Sequence, residues 1–147
     1  MKWIDLPPVW LALFAALGWG QAAWVPLGTF GAVGDWLGGA LVVVGLALAV
    51  AAAVEFRRAR TTLIPHEEPS AIVTSGVYRF SRNPIYLGDA LILAGLGLRW
   101  DSVLALGLVP VFVAVITARF ILPEEGRLGA RFGAEFDAWA GRVRRWL

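Results

Sequence analysis

Residues 36–56, WLGGALVVVGLALAVAAAVEF, read as one uninterrupted membrane crossing. About 20 predominantly apolar residues carry an α-helix across the ~30 Å hydrocarbon core of a bilayer, and no charge interrupts this run before Glu55. Gly38, Gly39 and Gly45, set among alanines, leave a smooth face for the close approach of a neighbouring helix. Glu55 stands at the end where Arg57, Arg58 and Arg60 follow. That placement reads as an ion pair snorkelling at the membrane edge rather than as a proton site in mid-membrane.

Composition extends the membrane reading to the whole chain. A hydrophobic share of 59% and a mean hydropathy of +0.69 exceed what an ordinary soluble core carries, and 147 residues suit a single domain. With no cysteine, a disulfide framework, a thiolate nucleophile and a cysteine metal site are all excluded. The single histidine, His66, excludes a histidine-rich metal cluster, and no metal is expected. Three further spans are predicted. The first covers residues 9–27 and is rich in tryptophan. Against reading it as a signal peptide, no small-residue cleavage site and no hydrophilic mature chain follow it. Another covers residues 84–100; its apolar part, about 14 residues or roughly 21 Å, is short for a bilayer. The last covers residues 102–122, with Asp101 as its cap and a kink at Pro110.

Beyond Glu124-Glu125, apolar residues Leu128, Phe132, Phe136, Trp139, Val143 and Trp146 recur every three or four positions among five arginines. This pattern predicts an amphipathic interfacial helix over residues 124–146. The expected fold is therefore an all-α integral membrane protein of four transmembrane helices plus that helix. Nearly all of the thirteen basic residues fall in the second link and the tail, which puts both termini on the cytoplasmic side, in a bacterial inner membrane. Glycine- and alanine-rich helix faces permit a homo-oligomer. The partners expected are the bilayer and a lipophilic small molecule, not nucleic acid.

Between the second and third spans lies residues 74–88, TSGVYRFSRNPIYLG, where chemistry is most at home. Asn83 followed by Pro84 fits a helix start, with asparagine capping free amides and proline at the first helical position. The helix mouth, Arg79 and Arg82 then favour an anion at one spot. Tyr86 and Asp89, three apart, share one helix face. Read blandly, Asn-Pro is only a cap and the arginines only mark a membrane edge.

GVYRFSRNPIYLG at residues 76–88, followed by PEEGRLGARFGAEFDAWAGRV at residues 123–143, resembles the superfamily of isoprenylcysteine carboxyl methyltransferases and phospholipid N-methyltransferases. The resemblance covers close to half the chain, and the order of its two blocks is more specific than either block. It implies methyl transfer from S-adenosylmethionine to a lipid or lipophilic acceptor at the cytoplasmic face. By matching position it implies a cofactor site of Tyr78, Arg82, Asn83, Pro84, Tyr86, Gly88, Glu124 and Glu125, and places Arg142 near the reacting group. Asn83 stands where the carboxyl methyltransferases have histidine, and Phe136 and Trp139 where they tend to have tyrosine, which tells against a prenylcysteine acceptor. A sulfonium methyl is already electrophilic, so alignment and exclusion of water matter more than a protein nucleophile. Asp89 and His66 are the evident candidates for a general base. Two rivals remain, a non-catalytic accessory protein and a small four-helix transporter. The transporter would need a centrally buried acid, whereas Glu55 and Asp89 sit near one edge.

Overall fold

The computed structural model describes residues 6–25, 28, 30–60 and 71–147. His66 lies outside the described residues. All regular structure among them is helical. Helix α1 covers Pro7–Trp24 and α2 covers Gly31–Arg58. A 3-10 turn, Gly76–Arg79, leads to α3, Pro84–Arg99. Helix α4, Val103–Ile116, passes through a π turn, Thr117–Ile121, into α5, Leu122–Phe132. Helix α6, Ala134–Ala140, follows, and residues 141–147 run without a helix.

The tightest contact joins α2 to α3. Gly38 faces Gly95 and Gly45 faces Gly88, so the two helices run antiparallel. At each point one helix's backbone carbonyl lies so near that a Cβ on the opposite glycine would stand 2.5 or 2.6 Å from it. Small residues allow that approach because nothing separates the backbones. On the other side of α3, Phe14 of α1 meets Phe112 of α4 edge to face at 5.4 Å, in a core with Tyr86, Leu93, Ile116, Phe120 and Ile121. A second cluster, with Ala52, Val73, Tyr78, Phe136, Trp139 and Val143, packs the hinge and the tail on the end of α2.

Among the described residues two helices are long and apolar enough to cross a membrane, Gly31–Arg58 and the continuous stretch Val103–Phe132. Helices α1 and α3 have 18 and 16 residues. The helix expected over residues 124–146 is instead divided: its first part continues α4, and Gly133, at φ +50°, breaks the chain before α6. No non-glycine residue takes that conformation cheaply. The irregularity in the long helix falls at residues 117–121, where the Leu122 amide donates to the Thr117 carbonyl. Pro123 follows directly, and a proline lacks the amide and crowds the carbonyl four residues back, so one widened turn relieves both. Past Pro110 the helix continues.

Asp101 does not cap α4. At φ +51° it stands outside the extended conformation a cap requires, and its carboxylate accepts from the Phe30 and Gly31 amides, at 2.6 and 3.3 Å. Ser102 is the cap: its hydroxyl accepts from the Ala105 amide at 3.1 Å and donates to Gln21 of α1. Because Ser102 is fully buried, Ser102→Ala is expected to lower stability by about 1 to 2 kcal/mol. Thermal unfolding in detergent reads this loss.

Candidate active site

The hinge is anchored at Gly76, whose φ of +56° a side chain tolerates poorly. A Cβ there would also fall 2.6 Å from the Glu55 carboxylate carbon. Glu55 is buried, accepts from Arg58 Nη1 at 3.0 Å and takes the Ser75 hydroxyl on its other oxygen. The ion pair expected there exists, but its carboxylate turns inward and ties the hinge to α2. Two residues on, Tyr78 is buried edge to face with Phe56 at 5.6 Å, and the Trp139 indole donates to its carbonyl at 3.3 Å. Burial, reinforced by the nearby Glu124 and Tyr86, holds the Tyr78 phenol above its ordinary pKa, so it stays protonated.

Next in the chain, residues 81–83 are clasped to the tail. The Arg82 amide donates to the Arg144 carbonyl at 3.0 Å, and Asn83 Nδ2 donates to the Arg145 carbonyl at 2.9 Å. The Asn83 side chain therefore does not cap α3; the tail's carbonyl draws it away from the free amides. Glu125 sits between two guanidiniums, 3.3 Å from Arg82 Nη1 and forked by Arg145 Nε and Nη2 at 3.0 and 2.7 Å. Those bonds raise the Arg145 pKa further. Arg82 Nε is buried and has no partner. Arg79, paired with Arg82 in the sequence reading, lines a cavity with Glu55 and Arg58, whereas Arg82 pairs with Glu125.

Within α3, Pro84 begins the helix as expected and is fully buried. Gly88 lies in the contact with Gly45, where its lack of a side chain serves helix packing. Tyr86 and Asp89 are both buried, one turn apart. The Tyr86 hydroxyl reaches Glu124 at 3.5 Å. No hydrogen bond or ion pair among the described residues reaches the Asp89 carboxylate. Thus the structure gathers Tyr86, Asp89 and Glu124 on one side and Arg82, Asn83 and Glu125 beside them, while Arg142 is exposed, its Nε on the Ala138 carbonyl. Sequence reading missed Arg145, since nothing distinguishes it among the arginines of residues 142–145. It also missed the anchoring role of Glu55, although a lone acid in an apolar span was a usable signal. Among the described residues no three His, Asp or Glu gather to hold a metal ion.

Known proteins bear on this arrangement. One similar protein is the nickel-cobalt-cadmium resistance protein NccN of Alcaligenes xylosoxydans xylosoxydans, 29% identical over 108 residues, 74% of this chain. The chain spans about half the length of that relative, 50%. The family described as phospholipid methyltransferase matches residues 33–135, from the start of α2 through the hinge and the acidic pair into α6. With two helices among the described residues fit to cross a bilayer and this family match, the protein is a membrane protein, and the chain belongs to the phospholipid methyltransferase family.

Proposed function

We propose that the protein transfers a methyl group from S-adenosylmethionine to the amine of a lipid or lipophilic acceptor at the cytoplasmic membrane face. The single observation that carries this reading is Asp89, a largely buried residue with no cation paired to it among the described residues, one turn from Tyr86 and its contact with Glu124. The Asp89 carboxylate oxygens are not sealed off, so a cationic ligand can reach them, and a largely desolvated acid gains from such a ligand. Both a sulfonium cofactor and a protonated amine are such ligands, whereas a carboxylate acceptor would be repelled. The residues also fit the cofactor's own carboxylate, since Arg82 Nε is buried and unpartnered at the mouth of α3.

When bound, S-adenosylmethionine supplies a methyl group on a positively charged sulfur that departs with the bonding electron pair, so no protein nucleophile is required. A protonated amine must lose its proton before its lone pair can attack, and the Asp89 carboxylate is placed to take that proton. Glu124, oriented by the Tyr86 hydroxyl, holds positive charge beside it. Asp89, rather than the exposed Arg142, is the group assigned to the chemistry. In this reading α1 and α3 also cross the membrane, giving four spans with hinge and tail at one leaflet.

Purified protein in vesicles containing phosphatidylethanolamine, given a donor labelled in its methyl group, tests the assignment. Mass spectrometry is expected to find label on the lipid amine, with Asp89→Asn slowing transfer about a hundredfold. Label on no lipid, or an Asp89→Asn rate equal to wild type, would overturn it.

A further inference from the structure

Between the hinge and the end of α2 lies a cavity of about 480 Å³. Its floor is apolar, from Ala51 and Val54 of α2 and from Phe80, which is 76% exposed. Two arginines stand at its rim: Arg58, whose side chain is 74% exposed, and the exposed Arg79. Arg58 ends a helix long and apolar enough to cross the bilayer, so the cavity sits where that span leaves the hydrocarbon, at the depth of lipid headgroups. Below it α2 presents Val43, Leu46 and Val50, each more than half exposed, as a surface for an acyl chain.

We infer that this cavity seats a phospholipid with a net negative headgroup, its phosphate on Arg58 and Arg79 and a chain along α2. Charge decides between headgroups. Among the described residues Glu55 is the one acid lining the cavity, and both its oxygens are engaged, by Arg58 and by the Ser75 hydroxyl. Paired with Arg58 and bonded on both oxygens, it has little charge left for the ammonium of a zwitterionic lipid. One carboxylate against two guanidiniums leaves an excess positive charge, and arginine binds phosphate through a planar fork of donors. At the far end of α2 a cavity of about 520 Å³ sets Arg99 beside Asp35, with no such excess, and so provides an internal comparison. Since residues 76–80 form one wall, an occupant there braces the segment that presents Tyr78, Arg82 and Asn83. The seat is distinct from the methyl-acceptor site and stands or falls independently of it.

Native mass spectrometry of the detergent-purified protein, titrated with phosphatidylglycerol and separately with phosphatidylcholine, reads occupancy directly. Wild type is expected to retain phosphatidylglycerol at least tenfold better. Arg79→Gln, at an exposed position, should remove that preference. Val54→Trp, which fills the floor and leaves both arginines in place, should abolish retention. Inorganic phosphate at millimolar concentration should not displace the lipid. Equal retention of the two lipids, retention unchanged in both variants, or displacement by phosphate alone would each overturn the proposal. Circular dichroism of each variant shows that helicity is kept, so loss of retention reports the seat and not the fold.

Discussion

Glu125→Gln is expected to free the tail from the hinge and to lower stability by about 4 kcal/mol, roughly a thousandfold in the folding equilibrium. The asymmetry of its two partners sets this size. Arg145 is 37% exposed in its side chain and regains water when the carboxylate is lost, whereas Arg82 is only 14% exposed. Arg82 already has its Nε buried without a partner, so removing the counter-charge leaves an uncompensated guanidinium inside the protein. Removing one member of a buried pair costs far more than removing both. The double variant Glu125→Gln/Arg82→Gln is therefore expected to be more stable than Glu125→Gln alone. Unfolding midpoints in detergent test the order, and limited trypsin digestion at residues 142–145 reports release of the tail. Glu124→Gln, which loses only a 3.5 Å contact with Tyr86, should shift stability little. A Glu125→Gln protein as stable as wild type, or a double variant worse than the single, would show that the clasp contributes nothing.

Gly45→Leu is expected to prevent α2 and α3 from closing, with no folded protein recovered. Even alanine would suffer, since its Cβ would sit 2.5 Å from the Gly88 carbonyl oxygen and 2.7 Å from Ile92. The obstructing atom is backbone, so no rotamer change relieves it and the helices must part. Ordinary overpacking costs about 1 to 3 kcal/mol, and a rigid obstacle puts this case at or beyond that range. Parting α3 from α2 also displaces Pro84, Tyr86 and Asp89, so methyl transfer should vanish with the fold. Gly107→Ala supplies the contrast: nothing lies within 4 Å of an added Cβ in the middle of α4, and the change should stabilise by about 0.5 to 1 kcal/mol. If Gly45→Ala and Gly107→Ala behave alike in unfolding, the close contact is not what holds α3 in place.

Signals carried by single residues and local periods were legible in the chain. The apolar run of residues 36–56 announced α2, Asn83-Pro84 announced the start of α3 at Pro84, and two blocks of residues announced the family. Gly38 and Gly45 were readable as a smooth face, though not the pairing with Gly95 and Gly88. Misreadings arose where two elements compete for one group. Asn83 and Asp101 both have the chemistry of caps, yet the Arg145 carbonyl claims the first and the Phe30 and Gly31 amides claim the second. Hydropathy, proline and glycine act on their own backbone within a turn or two, which is why the sequence by itself determined that this is a helical membrane protein and where α3 begins. Which of many arginines meets Glu125, that Arg79 and Arg82 line different places, and that Asp89 is largely buried with no counter-charge among the described residues were decided only by the tertiary structure, because a charge pairs with whatever the folded chain brings within a few ångströms, however distant in sequence.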